Sequence, residues 1–251
     1  MLTVEHVTLK FGGLIANNDV CLRVRPHKIT ALIGPNGAGK TTMFNCISGV
    51  YKPTSGIIKL LDKRIDGKRG FQINEAGISR TYQVINLFSK MTLLENVLVG
   101  MHSHLKSGYF SNILRTPKMR SEEKEAKERA YEWLEFVNLK DKAMNSASSL
   151  SYGEQRLLEI VRGMAASPKL ILLDEPAAGM NTAEKEDLDV ILKKILDKGV
   201  SILMIEHDMK LVMGVADYIY VLNDGKLLAE GIPSEVQNNQ DVITAYLGGD
   251  E

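Results

Sequence analysis

The stretch Gly34-Pro35-Asn36-Gly37-Ala38-Gly39-Lys40-Thr41 constrains the fold of this chain more than any other. It follows the apolar run Ile29-Thr30-Ala31-Leu32-Ile33 and opens a segment, residues 40–47, that reads as a helix. A strand, a turn of the form Gly-x-x-x-x-Gly-Lys-Ser/Thr and a helix make a phosphate-binding loop. Its glycines let the backbone curl so that successive N–H groups converge on one anion. The new helix adds its positive N-terminal end. Lys40 can then reach terminal phosphates, the Thr41 hydroxyl can ligate Mg²⁺, and Thr42 completes the loop. The implied ligand is a nucleoside triphosphate held by an α/β fold.

A second motif narrows the chemistry. Leu170-Ile171-Leu172-Leu173-Asp174-Glu175 is an apolar run ending in two carboxylates, which reads as a central parallel strand buried on both faces. In an open α/β sheet the ligand lies beyond the carboxyl ends of the strands, where this pair emerges. Asp174 is expected to hold Mg²⁺ through water and Glu175 to polarise the attacking water. The alternative, taken alone, is a strand that ends in a solvated acidic turn.

Leu150-Ser151-Tyr152-Gly153-Glu154-Gln155 precedes a segment with helical apolar spacing at Leu157, Ile160, Val161 and Met164. Ser151 with Glu154 three residues on is a capping box. A helix start carrying Ser and Gly is also an anion site, able to cap a γ-phosphate. This segment, placed just before the Asp-Glu strand, resembles the Leu-Ser-Gly-Gly-Gln signature of the ATP-binding cassette superfamily. Tyr152 stands at the third position and Glu154 at the fifth, while Ser151 and Gly153, the phosphate-facing positions by resemblance, are kept.

The resemblance extends over essentially the whole chain. Gln83 resembles the Q-loop glutamine that touches Mg²⁺ or water, and His207 the switch histidine that reaches the γ-phosphate. Phe11 occupies the place of the aromatic residue that stacks on adenine. Ala178-Gly179-Met180-Asn181 matches the D-loop, with Asn181 in place of the usual Asp. Alone, a Gln is usually solvated, a Phe is usually core, and a strand-end His is usually just hydrogen-bonded. The family implies a P-loop NTPase cassette: a RecA-like mixed-sheet core, an N-terminal antiparallel β layer and an inserted α-helical subdomain. Residues 1–251 then form one ATPase domain, with 1–83 and 166–251 as the core and 84–165 as the helical signature subdomain.

Finer matches point within the superfamily. Phe11-Gly12-Gly13-Leu14, Phe44-Asn45-Cys46, Tyr51-Lys52-Pro53-Thr54, the segment 105–110, Asp174-Glu175-Pro176-Ala177-Ala178-Gly179, the segment 206–214 and Ala245-Tyr246-Leu247-Gly248 closely resemble the ATP-binding subunits of branched-chain amino-acid importers. Tyr152 is shared by that group. The resemblance implies ATP hydrolysis with Mg²⁺ and a head-to-tail dimer with a second ATP-binding subunit, identical or not. It also implies membrane permease subunits docking near Gln83, Leu87 and Phe88, and a periplasmic or surface solute-binding protein. Importers of urea, amides or other small amino acids stay open as alternatives, as does a soluble cassette.

Composition agrees. The 31 basic and 31 acidic residues cancel, which argues against a nucleic-acid partner. Cys21 and Cys46 fit no metal or redox spacing and read as buried or inert thiols of a reducing compartment. No signal peptide is evident, and no apolar run approaches the roughly 20 residues needed to cross a bilayer. Any membrane role is therefore peripheral, at the cytoplasmic face and through a partner. Residues 120–129 read as a solvated helix face, and residues 218–229 as a hairpin around Asp224-Gly225. His102 and His104 read as a solvated loop.

Overall fold

The computed structural model describes residues 1–101 and 117–247. His102, His104, the segment 105–110 and Gly248 lie outside them. Two sheets carry the chain. Strands β1 (Leu2–Phe11), β2 (Leu14–Val24), β4 (Ser55–Leu60) and β5 (Lys63–Arg64) form an antiparallel sheet in the order β2-β1-β4-β5. The larger sheet runs β10-β9-β3-β8-β7-β6, built from β3 (Ile29–Ile33), β6 (Ile78–Arg80), β7 (Leu170–Asp174), β8 (Ser201–Ile205), β9 (Tyr218–Asn223) and β10 (Lys226–Gly231). Within it β6, β7, β8, β3 and β9 are parallel, and β10 closes the edge antiparallel to β9. This is the expected mixed sheet with a β layer in front.

The parallel strands are buried on both faces, and their alternation divides two cores. Leu32, Leu170, Leu172, Leu203, Ile205 and Leu222 face Met43, Phe44, Cys46 and Ile47 of the helix Lys40–Ile47 and, behind it, Val4, Val20 and Ile58 of the antiparallel sheet. The phosphate-loop helix is thus clamped between two sheets. Ile33, Ile171, Leu173, Ile202, Met204 and Val221 face the opposite way, toward the helices Leu93–Gly100, Pro117–Phe136, Tyr152–Ala165, Thr182–Asp197 and Met209–Val215. Leu93 and Val97, Ala130 and Leu134, and Leu158 and Val161 join the first three of these helices into one apolar cluster.

Local chemistry sets the boundaries. Thr92, Ser151 and Asn181 each cap a helix with a reciprocal glutamate, Glu95, Glu154 and Glu184. Asp224 and Gly225, at φ 46° and 74°, make the two-residue turn between β9 and β10. Residues 121–129 present an exposed, mixed-charge face apart from buried Ala126 and half-buried Glu122. Cys46 is buried, which pushes its thiol up to about 11. No helix among the described residues is long and apolar enough to cross a membrane.

Candidate functional site

The phosphate loop lies between β3 and the helix it feeds. Gly34 has φ 148°, and a Cβ there would meet the Leu222 carbonyl oxygen at 2.0 Å. Only glycine lets β3 end so close to β9. Gly39, at φ 93°, starts the helix, and its carbonyl accepts a 3.1 Å hydrogen bond from the amide of Asn17, which is wholly buried. Gly37, at φ 79°, has nothing beside it, and Asn36 and Gly37 face outward. The hairpin turn props the loop from behind: Gly225 N–H donates to Ala38 at 3.2 Å, and Asn18 N–H donates to Gly225 at 2.7 Å.

Lys40 folds across this loop and donates to the carbonyls of Gly34 at 2.7 Å and Pro35 at 2.8 Å. Burial lowers the affinity of its amine for the proton, while Glu175 and Asp174 pull it back up. An anion in the loop offers that ammonium a charged partner in place of two neutral carbonyls.

A cleft of about 600 Å³ opens over the loop, a size that suits a nucleotide. Its walls hold Asn36 through Thr42, Phe11, Gln83, Glu175 and His207. The last three arrive from three strand ends and meet. Gln83 Nε2 donates to Glu175 Oε2 at 3.1 Å, and His207 Nε2 lies 3.0 Å from Glu175 Oε1. Glu175 takes a left-handed backbone, φ 49°, which a non-glycine residue adopts at a cost and which is common at functional sites. Its N–H is bound to the Ile205 carbonyl at 2.9 Å. Phe11 is 45% exposed at the rim, its ring 5.2 Å from that of Tyr51 in a T-shaped pair.

The other expected residues are not in the cleft wall. Asp174 is 2% exposed, one residue before Glu175, and close enough to Lys40 for its charge to act on that ammonium. Its Oδ2 accepts from Arg80 at 2.9 Å, and burial raises its pKa despite that guanidinium. Its Oδ1 has no protein partner. Ser151, Gly153 and Glu154 also lie off the cleft. The Ser151 hydroxyl accepts from Glu154 N–H at 3.3 Å, and Glu154 accepts from Lys142 at 2.5 Å. Gly153 is buried against Glu184, whose Oε1 would stand 2.4 Å from an added Cβ. In one chain, Gly153 serves close helix packing rather than a phosphate. Leu87 packs on the core, and Phe88 is the exposed member of that pair.

Several residues that build the site carry no local signal. Arg80 ties Asp174 to Asn45 and Ser48 at 2.7 Å each. Asn17 pins Gly39. Glu206 is buried, and its carboxylate accepts from the N–H groups of Ala177 at 2.7 Å, His207 at 3.0 Å and Asp208 at 3.3 Å. One acid thus holds together the chain after β7 and the chain after β8. Its place directly after an apolar strand, at the start of the segment 206–214, is the hint the sequence offers.

Comparison with known proteins agrees with this geometry. Residues 17–178 match the family model described as ABC transporter, and residues 226–251 match one described as branched-chain amino acid ATP-binding cassette transporter. The chain is 50% identical over 249 residues to the high-affinity branched-chain amino acid transport ATP-binding protein LivG of Escherichia coli strain K12, covering 99% of this chain and 98% of that one. BraF of Pseudomonas aeruginosa, described by the same phrase, is 48% identical over the same shares. Among solved structures, an ATP-binding cassette of an ABC transporter in its ADP conformation superposes with a TM-score of 0.86 at 30% identity, covering 99% of this chain and 98% of that one. A dimeric cassette bound to ADP and Pi gives 0.78 at 25%, covering 93% and 99%. The chain belongs to the ABC transporter family, as one of its ATP-hydrolysing cassettes.

Proposed function

We propose that this chain is the ATPase subunit that powers an importer of branched-chain amino acids. The observation that carries its catalytic half is the suspension of Glu175 between Gln83 and His207 at the mouth of the phosphate-loop cleft. With ATP in the loop, Glu175 accepts a proton from water as the water oxygen attacks the γ-phosphorus and the bond to the β–γ bridging oxygen breaks. ADP and phosphate leave. His207 and Gln83 orient the carboxylate, Lys40 neutralises the terminal phosphates, and Phe11 stacks on the base. The solute assignment draws on the LivG and BraF likeness and on the matched C-terminal segment.

The donor set fits a hard divalent cation. Thr41 faces the cleft, Gln83 is an amide, and Asp174 Oδ1 is a buried carboxylate oxygen without a protein partner. No group of three or more His, Cys, Asp or Glu among the described residues could hold a metal. Mg²⁺ would therefore depend on nucleotide phosphates as well, and when bound it would neutralise their charge.

Residues 84–165 act as the signature subdomain and the remainder as the core. Ser151, Gly153 and Glu154, which cannot serve the cleft of their own chain, serve that of a second ATP-binding subunit. ATP closes the pair and hydrolysis opens it, because each state binds nucleotide differently. Permease subunits dock beside Gln83 and Phe88 and hold the chain at the cytoplasmic membrane face. A solute-binding protein delivers substrate from the other side. Purifying Glu175→Gln and measuring its mass in solution with and without Mg-ATP tests the pairing. An ATP-dependent dimer, with itself or with an added second subunit, is expected. No pairing under either condition overturns it.

A further inference from the structure

Arg156 and Glu159 are 1% and 2% exposed, an unusual burial for two charges on one helix. They pair at 3.1 Å. A buried ion pair is weak evidence for stability, since desolvation offsets the attraction. This pair is occupied with something besides itself. Arg156 Nη1 donates to the Tyr82 carbonyl at 2.6 Å, and Nη2 donates to the carbonyl of Gln83. The guanidinium fork therefore grips the backbone of the residue whose side chain reaches Glu175 at 3.1 Å.

Neighbouring contacts fix the grip. Arg162, one turn beyond Glu159, donates to the Asn86 carbonyl at 2.7 Å, so one helix face holds the chain at 82, 83 and 86. Tyr152, third in the signature, lies with its ring 5.7 Å from the Arg156 guanidinium and its hydroxyl 3.4 Å from Nη2. The same ring meets Gly179, where an added Cβ would stand 2.9 Å from Cε1. Tyr152 thus fills the space between the segment after Glu175 and Arg156.

We infer that Arg156 is a positioning residue for ATP hydrolysis, set in place by Glu159 and Tyr152, that holds Gln83 against Glu175. The inference rests on the reading of Glu175 as general base. It makes the signature helix a control on the catalytic carboxylate of its own chain, separate from any contact with a partner's nucleotide.

The test is a cycle with Gln83 in the full-length protein, assembled as it hydrolyses ATP. Arg156→Lys keeps the charge but cannot span two carbonyls and Glu159. Arg156→Gln with Glu159→Gln removes both charges of the pair together, and leaves Arg162, which loses its 3.9 Å ion pair with Glu159, on the Asn86 carbonyl. Each is expected to lower kcat on the order of tenfold while ATP affinity stays within about twofold. In a Gln83→Ala background the same changes are expected to have no further effect on kcat. Equal losses in both backgrounds overturn the inference, as does unchanged kcat. Loss of folding in both forms assigns the pair a structural role and overturns it too. Glu175→Gln is measured alongside: wild-type turnover there removes the general-base reading, whatever Arg156 does.

Discussion

The phosphate loop and the signature are both helix starts rich in small residues, yet the structure uses them in opposite ways. At the phosphate loop the Lys40–Ile47 helix begins on a bare glycine, Gly39, with no side-chain cap, and Asn36 and Gly37 face outward. Backbone donors are left for a ligand. At the signature the Ser151 hydroxyl and the Glu154 carboxylate satisfy the helix start from within, and Lys142 binds the same carboxylate. One end is open to an anion in a single chain, and the other is closed by its own residues. A helix start therefore becomes a phosphate site by what is withheld from it as much as by its glycines.

The largest effect separating the two regions lies at the acid beside the loop. Glu175→Gln is expected to cut turnover by about 10²-fold or more while ATP still binds, as steady-state hydrolysis beside equilibrium binding would report. Wild-type turnover would move the base elsewhere. Lys40→Ala removes a charge-assisted contact of about 1.5–3 kcal/mol, so ATP affinity should fall roughly 10- to 100-fold by titration calorimetry. An unchanged affinity would sink its assigned role.

A pair of alanines sharpens the contrast in stability. Gly34→Ala places a Cβ 2.0 Å from the Leu222 backbone at a φ of 148°, and nothing there can yield. A loss on the order of 3 kcal/mol in denaturant unfolding is expected. Gly153→Ala meets the Glu184 side chain, which can turn aside only by giving up its hydrogen bond from the Asn181 N–H, with no positive φ to resist it, and should cost about 1–2 kcal/mol. Equal losses would erase the distinction between backbone and side-chain crowding.

Ser151→Ala gives the smallest change, about 1 kcal/mol of stability from the lost cap. ATP affinity of the separate chain should be unchanged, because Ser151 lies off the cleft. A weakened affinity would place the signature in its own chain's site after all.

Motifs confined to a few consecutive residues were legible in the sequence. Strand, glycine turn and lysine at residues 29–41, the apolar run ending at Asp174-Glu175, the capping box at Ser151 and the Asp224-Gly225 turn each obey short-range rules of hydrogen bonding and φ. Resemblance brought Phe11, Gln83 and His207 to the same cleft, and the structure sets all three in its walls. Asp174 was legible as a strand-end acid, but its burial against Arg80 was not, because 94 residues separate them.

The sequence by itself determined the α/β class, the phosphate loop and the acid that faces it, since all three follow from backbone geometry over a turn or a strand. Only the tertiary structure decided which charges are buried and whom they hold. Arg156 on Gln83, Glu206 on three N–H groups and Arg80 on Asp174 link segments distant in the chain. A charge enters a core only where partners converge to replace water. That convergence is a property of the packed fold, and no local pattern in the chain records it.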